Sequence, residues 1–173
     1  MNPRSESVLY VVKAGIIAGM VYVGSRILPA ERVTSDVTAA VLNFFGIAAE
    51  SYEQAGRIYL EYLQISVDCT ALEIIAIFLG LILAVKASRT RKVIFSVTGS
   101  SGVFLANIAR ISVVYYLLEK GVPWWIAHDL FSGGLSILAG MLFLVVSEQY
   151  LPQINENLYT LLDACETFVS KIR

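Results

Sequence analysis

Three residues of this chain have side chains that could act together in catalysis. Cys69 carries a thiol, Arg110 carries a guanidinium, and His128 is the single histidine among the 173 residues. A thiolate can attack a carbonyl carbon, an imidazole can accept the thiol proton, and a guanidinium can stabilise negative charge on an oxygen. These residue types predict nucleophilic cysteine chemistry if the fold brings them to one membrane face.

The composition indicates where such a site would lie. Hydrophobic residues make up 57% of the chain, charged residues make up 16%, and the net charge is -1. This balance is typical of an integral membrane protein and gives no support for nucleic-acid binding. The two cysteines are too few for a disulfide framework and have no zinc-ligand spacing, so we expect neither a structural metal nor a cofactor.

Four apolar segments predict membrane spans, because about 20 apolar residues cross the bilayer core as a helix. These spans are Val8–Leu28, Thr70–Val85, Val93–Leu118 and Trp125–Val146. Four basic residues lie between the second and third spans: Lys86, Arg89, Arg91 and Lys92. The positive-inside rule places this loop in the cytoplasm. We therefore predict a multi-pass cell-membrane protein with an extracytoplasmic insert at 29–69 and a cytoplasmic tail at 148–173.

The predicted fold is an all-α membrane protein that forms a single membrane domain over residues 1–173. In the insert, we predict a helix capped by Thr34, Ser35 or Asp36, followed by a short β-hairpin formed by RIYL and LQISV. The tail has apolar residues at near-helical spacing, which predicts an amphipathic helix that includes Cys165. Small residues predict close helix packing within the spans: Gly15, Gly19, Gly99, Ser100, Ser101, Gly102, Gly133, Gly134 and Gly140.

Each candidate catalytic residue also has a simpler interpretation. We place Cys69 at the outer end of the second span, where the helix dipole favours a thiolate, although many lone cysteines are small buried hydrophobes. His128 starts the fourth span, where an interfacial polar residue is equally expected. Arg110 lies within the third span and needs a partner or a wet cavity, and its candidate partners are Glu73 and Asp129.

Further residues could support this group. Asn107 lies one turn from Arg110 on the same helix face and could orient the guanidinium. Thr70 is expected in the first turn of the second span, where its hydroxyl or unpaired N–H would lie beside the nucleophile. Trp124 and Trp125 fit an outer aromatic belt and could also border the path of a substrate.

Two other functions remain open from the residues alone. The chain could be a non-catalytic membrane scaffold or assembly subunit, with Glu73 and Arg110 as a structural pair and Cys69 inert. It could also be a small transporter or proton-linked channel, although the first and fourth spans lack acidic residues at mid-membrane. The shared side and depth of Cys69, Arg110 and His128 favour catalysis.

The motifs CTALE at 69–73, NIARI at 107–111 and the later His128 resemble the exosortase/archaeosortase family of membrane cysteine transpeptidases. The resemblance covers about residues 60–147. It implies an enzyme that cleaves secreted proteins ending in a short motif, a transmembrane helix and a basic tail. The enzyme would join the new carboxyl terminus of these proteins to a lipid or glycan acceptor. The reaction would take place on the outer side of the membrane, where the enzyme is surrounded by membrane lipids. Cys69 would be the nucleophile, His128 the base and Arg110 the charge-stabilising group.

Overall fold

The computed structural model of the chain describes residues 3–172, and their side chains except those at 3, 4, 132, 136 and 164–172. The elements in chain order are α1 (Pro3–Ser25), α2 (Ala30–Phe44), β1 (Ser51–Gln54), β2 (Arg57–Leu60), β3 (Leu63–Ile65), a 3-10 turn (Val67–Cys69), α3 (Leu72–Ala84), α4 (Arg89–Glu119), a π-helical segment (Trp125–Ser132) continuing into α5 (Gly133–Tyr150), and α6 (Gln153–Ile172). The predicted all-α membrane fold with a small sheet-containing insert is confirmed.

Three helices in the described part of the chain are long and apolar enough to cross a membrane: Ser5–Ser25, Arg89–Glu119 and Trp125–Tyr150. The predicted second span corresponds to α3, which is apolar but has 13 residues. At 1.5 Å per residue α3 is about 20 Å long, whereas the hydrocarbon core is about 30 Å thick. Three of the four predicted spans are therefore long enough to cross on their own, and α3 is not.

The helix of the insert begins earlier than predicted. α2 starts at Ala30, directly after Pro29, so Thr34 and Ser35 are internal residues and not caps. Both are buried, and the Ser35 hydroxyl donates to the Tyr59 carbonyl at 3.1 Å. The predicted cap is wrong because both residues lie on the buried face of α2, where the Ser35 hydrogen bond connects the helix to β2.

The predicted hairpin is confirmed, and a third strand joins it. β2 pairs antiparallel with β3, from Ile58 opposite Ile65 to Leu60 opposite Leu63. β1 pairs antiparallel with β2 through a two-residue turn in which Ala55 and Gly56 have φ of 52° and 72°. Positive φ at both turn residues is the geometry that matches the twist of a tight hairpin. β1 was missed because Ser-Tyr-Glu-Gln shows no apolar alternation.

The insert packs on the part of α4 that carries the candidate site residues. Ile111 and Tyr115 of α4 share a buried core with α2 and the sheet, whose members are Ala39, Leu42, Ala49, Leu60 and Ile65. The Tyr62 ring, in the turn between β2 and β3, stacks on Tyr115 with centroids 5.7 Å apart. Desolvation and the Glu119 carboxylate raise the pKa of Tyr62 to about 12, so its hydroxyl stays protonated at neutral pH. This packing holds the end of β3, and hence the chain leading to Cys69, against α4.

The chain forms two compact units, and the candidate site residues belong to one of them: Gly24–Ile75 with Ser101–Met141. The other comprises Met1–Val23, Ala76–Ser100 and Leu142–Arg173. In that second unit, the rings of Phe78 and Phe143 lie 3.6 Å apart, and the Tyr10 hydroxyl donates to the Leu81 carbonyl at 3.0 Å. Cys165 belongs to α6, but its side chain lies outside the described residues.

The predicted close packing at small residues is mostly wrong. A Cβ would meet nothing within 4 Å at six of the predicted glycines: Gly15, Gly19, Gly102, Gly133, Gly134 and Gly140. Gly99 is approached, since its Cβ would lie 2.6 Å from the Phe78 ring. The tightest approach of α1 is instead at Gly80 of α3, where a Cβ would overlap the Ala14 carbonyl oxygen and lie 2.9 Å from the Ala18 Cβ.

Gly80→Ala should therefore destabilise the protein by about 1 to 3 kcal/mol, the usual cost of overpacking a tight contact. The backbone of α1 would have to move, since the obstructing Ala14 oxygen is not part of a flexible side chain. Thermal unfolding of the full chain in one detergent measures the effect. Gly19→Ala is the matched control and should leave the midpoint unchanged or slightly higher, because its Cβ enters open space. Equal midpoints for the two variants would contradict this packing.

Candidate active site

Cys69 lies at the end of a tight turn and not in a helix. The 3-10 turn Val67–Cys69 follows β3 after one residue, and the Cys69 N–H donates to the Ser66 carbonyl at 2.9 Å. α3 begins three residues later, at Leu72. The prediction that Cys69 starts the second span is wrong, so the α3 dipole does not act on the thiol from a first-turn position.

Two residues between Cys69 and α3 form an elbow. Ala71 has a φ of 58°, a left-handed conformation that costs a non-glycine residue roughly 1 to 2 kcal/mol. Thr70 is 2% exposed, and its hydroxyl donates to the Val67 carbonyl at 2.6 Å and faces the Leu72 N–H at 3.5 Å. The Thr70 N–H also donates to Val67. The placement of Thr70 in a helical first turn with an unpaired N–H is therefore wrong, because both of its donors stabilise the elbow.

Asn107 holds the backbone of Cys69. This α4 residue is 6% exposed, and its amide Nδ2 donates to the Cys69 carbonyl at 2.6 Å. The Nδ2 group of Asn107 thus donates to Cys69, and the predicted orientation of Arg110 by Asn107 stays a prediction. A buried amide–carbonyl bond between segments 38 residues apart in sequence fixes the turn on α4.

The Cys69 sulfur has a polar neighbour that sequence reasoning missed. The Ser66 hydroxyl lies 3.7 Å from the Cys69 Sγ, within hydrogen-bonding range for sulfur. Either the Ser66 hydroxyl or the Cys69 thiol could be the donor in this contact. The sequence signal for this contact was that Ser66 lies three residues before Cys69. Serine is so common in turns that this spacing does not distinguish the contact.

Arg110 lies one turn beyond Asn107 on α4. Residues three apart share a helix face, so the half-buried Arg110 is carried on the side of α4 that contacts the Cys69 turn. Glu73 is exposed in the first turn of α3. Because the elbow at Ala71 separates Glu73 from Cys69, the predicted continuous helix face joining those two residues is wrong. The pairing of Arg110 with Glu73 stays a prediction.

His128 is held by residues of its own segment. Its ring stacks on Trp124, with centroids 4.6 Å apart and planes 10° apart, and its Nδ1 lies 2.9 Å from Asp129 Oδ1. The sequence suggested Asp129 only as a partner for Arg110, whereas its carboxylate contacts the His128 imidazole. The spacing of four residues between Trp124 and His128 could have suggested their ring contact, because residues four apart are neighbours on a helix.

The structure joins part of the predicted catalytic group. Cys69 and Asn107 are in direct contact, and Arg110 follows on the same face of α4. Within the described side chains, Cys69 and His128 are not hydrogen-bonded to each other; the thiol faces Ser66 and the imidazole faces Asp129. Catalytic hydrogen bonds are often long without substrate and shorten when it binds.

An apolar groove lies beyond Arg110 along α4. Val113 and Leu117, which continue the Arg110 face of α4, line an open groove of about 530 Å³ together with Ile126, Leu130 and Leu138. Among the described residues, no cluster of three or more His, Cys, Asp or Glu side chains could hold a metal ion. The polar groups of this region are therefore those of the Cys69 turn, of α4 and of the π-helical segment.

The sequence profile that matches this chain is that of the transmembrane exosortase family (Exosortase_EpsH), over residues 7–147. The match includes Cys69, Asn107, Arg110 and His128, and it covers far more than half of the chain. No curated protein and no solved structure matches the chain significantly. With a membrane fold, a cysteine held on a buried asparagine and a profile match of this extent, the chain belongs to the transmembrane exosortase family.

Proposed function

We propose that this membrane protein is a cysteine transpeptidase that cleaves the C-terminal sorting signal of secreted proteins and transfers them to a lipid or glycan acceptor. The observation that carries the proposal is the Asn107–Cys69 hydrogen bond at 2.6 Å. It holds the backbone of Cys69 on α4, the helix that also carries Arg110.

The reaction begins with attack by Cys69 on the peptide carbonyl after the sorting motif. The Sγ–C bond forms, the thiol proton passes to the imidazole of His128, and the carbonyl oxygen becomes an oxyanion. Arg110 stabilises that negative charge, a contribution worth several kcal/mol in a site that excludes water. The C–N bond then breaks, and His128 returns its proton to the departing amine.

The product of this first step is a thioester between Cys69 and the secreted protein. An amine or hydroxyl on the acceptor attacks the thioester carbonyl, loses its proton to His128 and releases the Cys69 thiol. Water in place of the acceptor would release a free carboxylate, and the enzyme would then act as a simple protease.

The basic start of α4 supports an active site on the extracytoplasmic side. Arg89, Arg91 and Lys92 lie in the first turn of α4, whereas Arg110 lies in its second half. A basic cytoplasmic end puts the catalytic end outside by the positive-inside rule. There it would meet a secreted protein whose terminal helix has halted in the bilayer.

Mass spectrometry of secreted proteins from the source organism tests the proposal. We expect proteins that end in a short motif, an apolar helix and a basic tail to be shortened at the motif and to carry a new mass at the shortened end. Deleting the gene should leave them full-length, and hydroxylamine added to the wild-type chain should release a trapped thioester. Identical C-termini with and without the gene would overturn the proposal.

A further inference from the structure

His128 is placed between two side chains of its own segment. The Trp124 ring lies parallel to the imidazole on one face, and the Asp129 carboxylate faces the ring nitrogen Nδ1. An ionised carboxylate can only accept hydrogen bonds, so the proton of this contact is on Nδ1. In a neutral imidazole with a proton on Nδ1, the other nitrogen, Nε2, has a free lone pair.

We propose that Asp129 and Trp124 are positioning residues that present Nε2 of His128 to the Cys69 thiol. This inference rests on the function proposed above, in which His128 is the base. Asp129 selects the Nδ1–H tautomer and stabilises the imidazolium formed when the thiol proton arrives. Trp124 fixes the ring plane, so that the lone pair of Nε2 keeps one direction.

The local backbone is unusual at this point. The eight residues Trp125–Ser132 are π-helical, whereas the chain continues as the α-helix Gly133–Tyr150. π-helical turns inserted in α-helices are rare and occur frequently at functional sites. Here the π-helical segment begins the helix that continues as α5, carries both His128 and Asp129, and is preceded by Trp124.

The exposure of the pair limits what Asp129 can do. The His128 and Asp129 side chains are 44% and 66% exposed, so their attraction is screened and contributes little to folding. Orientation does not require burial, because a single short hydrogen bond is enough to select a tautomer. The expected effect of losing Asp129 therefore lies in catalysis and in the state of the imidazole, with little change in stability.

Nitrogen NMR of the full chain in lipid nanodiscs, labelled with ¹⁵N-histidine, reports the tautomer directly. His128 is the only histidine, so every ring signal belongs to it. We expect the neutral ring to carry its proton on Nδ1 in the wild type, and Asp129→Asn to lose this preference. Processing of the sorting signal should fall at least about tenfold in Asp129→Asn, and Asp129→Glu should restore part of it. A wild-type proton on Nε2 would overturn the proposal.

Trp124 has a matched control in its neighbour. Trp124→Leu should remove the ring-current shift on the His128 carbon-bound protons and slow processing, whereas Trp125→Leu should keep that shift. Wild-type processing in Asp129→Asn despite an altered tautomer would refute a catalytic role for the pair. A Cys69→Ala variant that still processes its substrate would refute the proposed function instead, and the tautomer would still show whether Asp129 orients His128.

Discussion

Replacing Cys69 by serine should abolish processing, with a loss of more than about a thousandfold, because removing the nucleophile of such a group leaves only binding and charge stabilisation. A hydroxyl remains almost fully protonated at neutral pH, whereas a few per cent of an ordinary thiol is ionised and a thiolate is a far better nucleophile. The measurement is the fraction of a co-expressed secreted protein that is shortened at its sorting motif. Cys69→Ala should behave like Cys69→Ser.

Cys165→Ser is the matched control for this prediction. It removes the other thiol of the chain, which belongs to the tail, and should keep full processing. In the Cys165→Ser background, a maleimide that cannot cross membranes should label Cys69 in intact cells if the site faces outward. Full processing by Cys69→Ser would exclude covalent catalysis by this residue and would favour the scaffold interpretation.

The parts of the fold that depend on composition were predictable from the sequence. Long apolar runs identify α1, α4 and the α5 region, because a run of about 20 apolar residues is most stable as a helix in the hydrocarbon core of the membrane. The hairpin of β2 and β3 was predictable for a similar reason, since its strands are rich in β-branched and aromatic residues. β1 was not, because its polar residues form a strand only through pairing with β2.

The candidate site could be proposed from the sequence as a set of residue types, and its geometry could not. The family motifs point to Cys69, Asn107, Arg110 and His128, whose catalytic roles stay a prediction. The elbow was hidden because alanine is not expected at a φ of 58°, so nothing marked Ala71 as the residue that separates Cys69 from α3. The Asn107–Cys69 bond joins distant segments, and residue spacing carries no information about which polar group Asn107 meets.

The elbow at Ala71 determines which groups lie next to Cys69. Because Cys69 precedes α3 and does not belong to it, the polar contacts that the structure describes for Cys69 come from its own turn and from α4. They include the Ser66 hydroxyl, 3.7 Å from the Cys69 Sγ, and the Asn107 amide, which donates to the Cys69 carbonyl. A nucleophile that depends on contacts between separate segments is sensitive to the residue that joins those segments, and here this residue is Asn107.

Asn107→Ala should reduce the processing rate per folded molecule by about a hundredfold, because a shift of the nucleophile by about 1 Å is enough for such a loss. The change leaves the Cys69 carbonyl without this part-buried hydrogen bond, which should also cost about 1 to 3 kcal/mol of folding free energy. Asn107→Asp should be equally slow, since an ionised carboxylate has the same shape but cannot donate. Processing rates, corrected for the folded fraction, give the measurement.

Asn155→Ala separates the catalytic effect from the loss of a buried amide. Asn155 is 4% exposed and donates to the Leu144 carbonyl at 3.0 Å, far from Cys69 in sequence and in the other compact unit. We expect it to lower the unfolding midpoint at least as much as Asn107→Ala while keeping the wild-type rate per folded molecule. If the two variants process the substrate equally fast, the Asn107 bond serves stability alone. If only Asn107→Ala is slow, then the amide acts on catalysis by holding Cys69 in place.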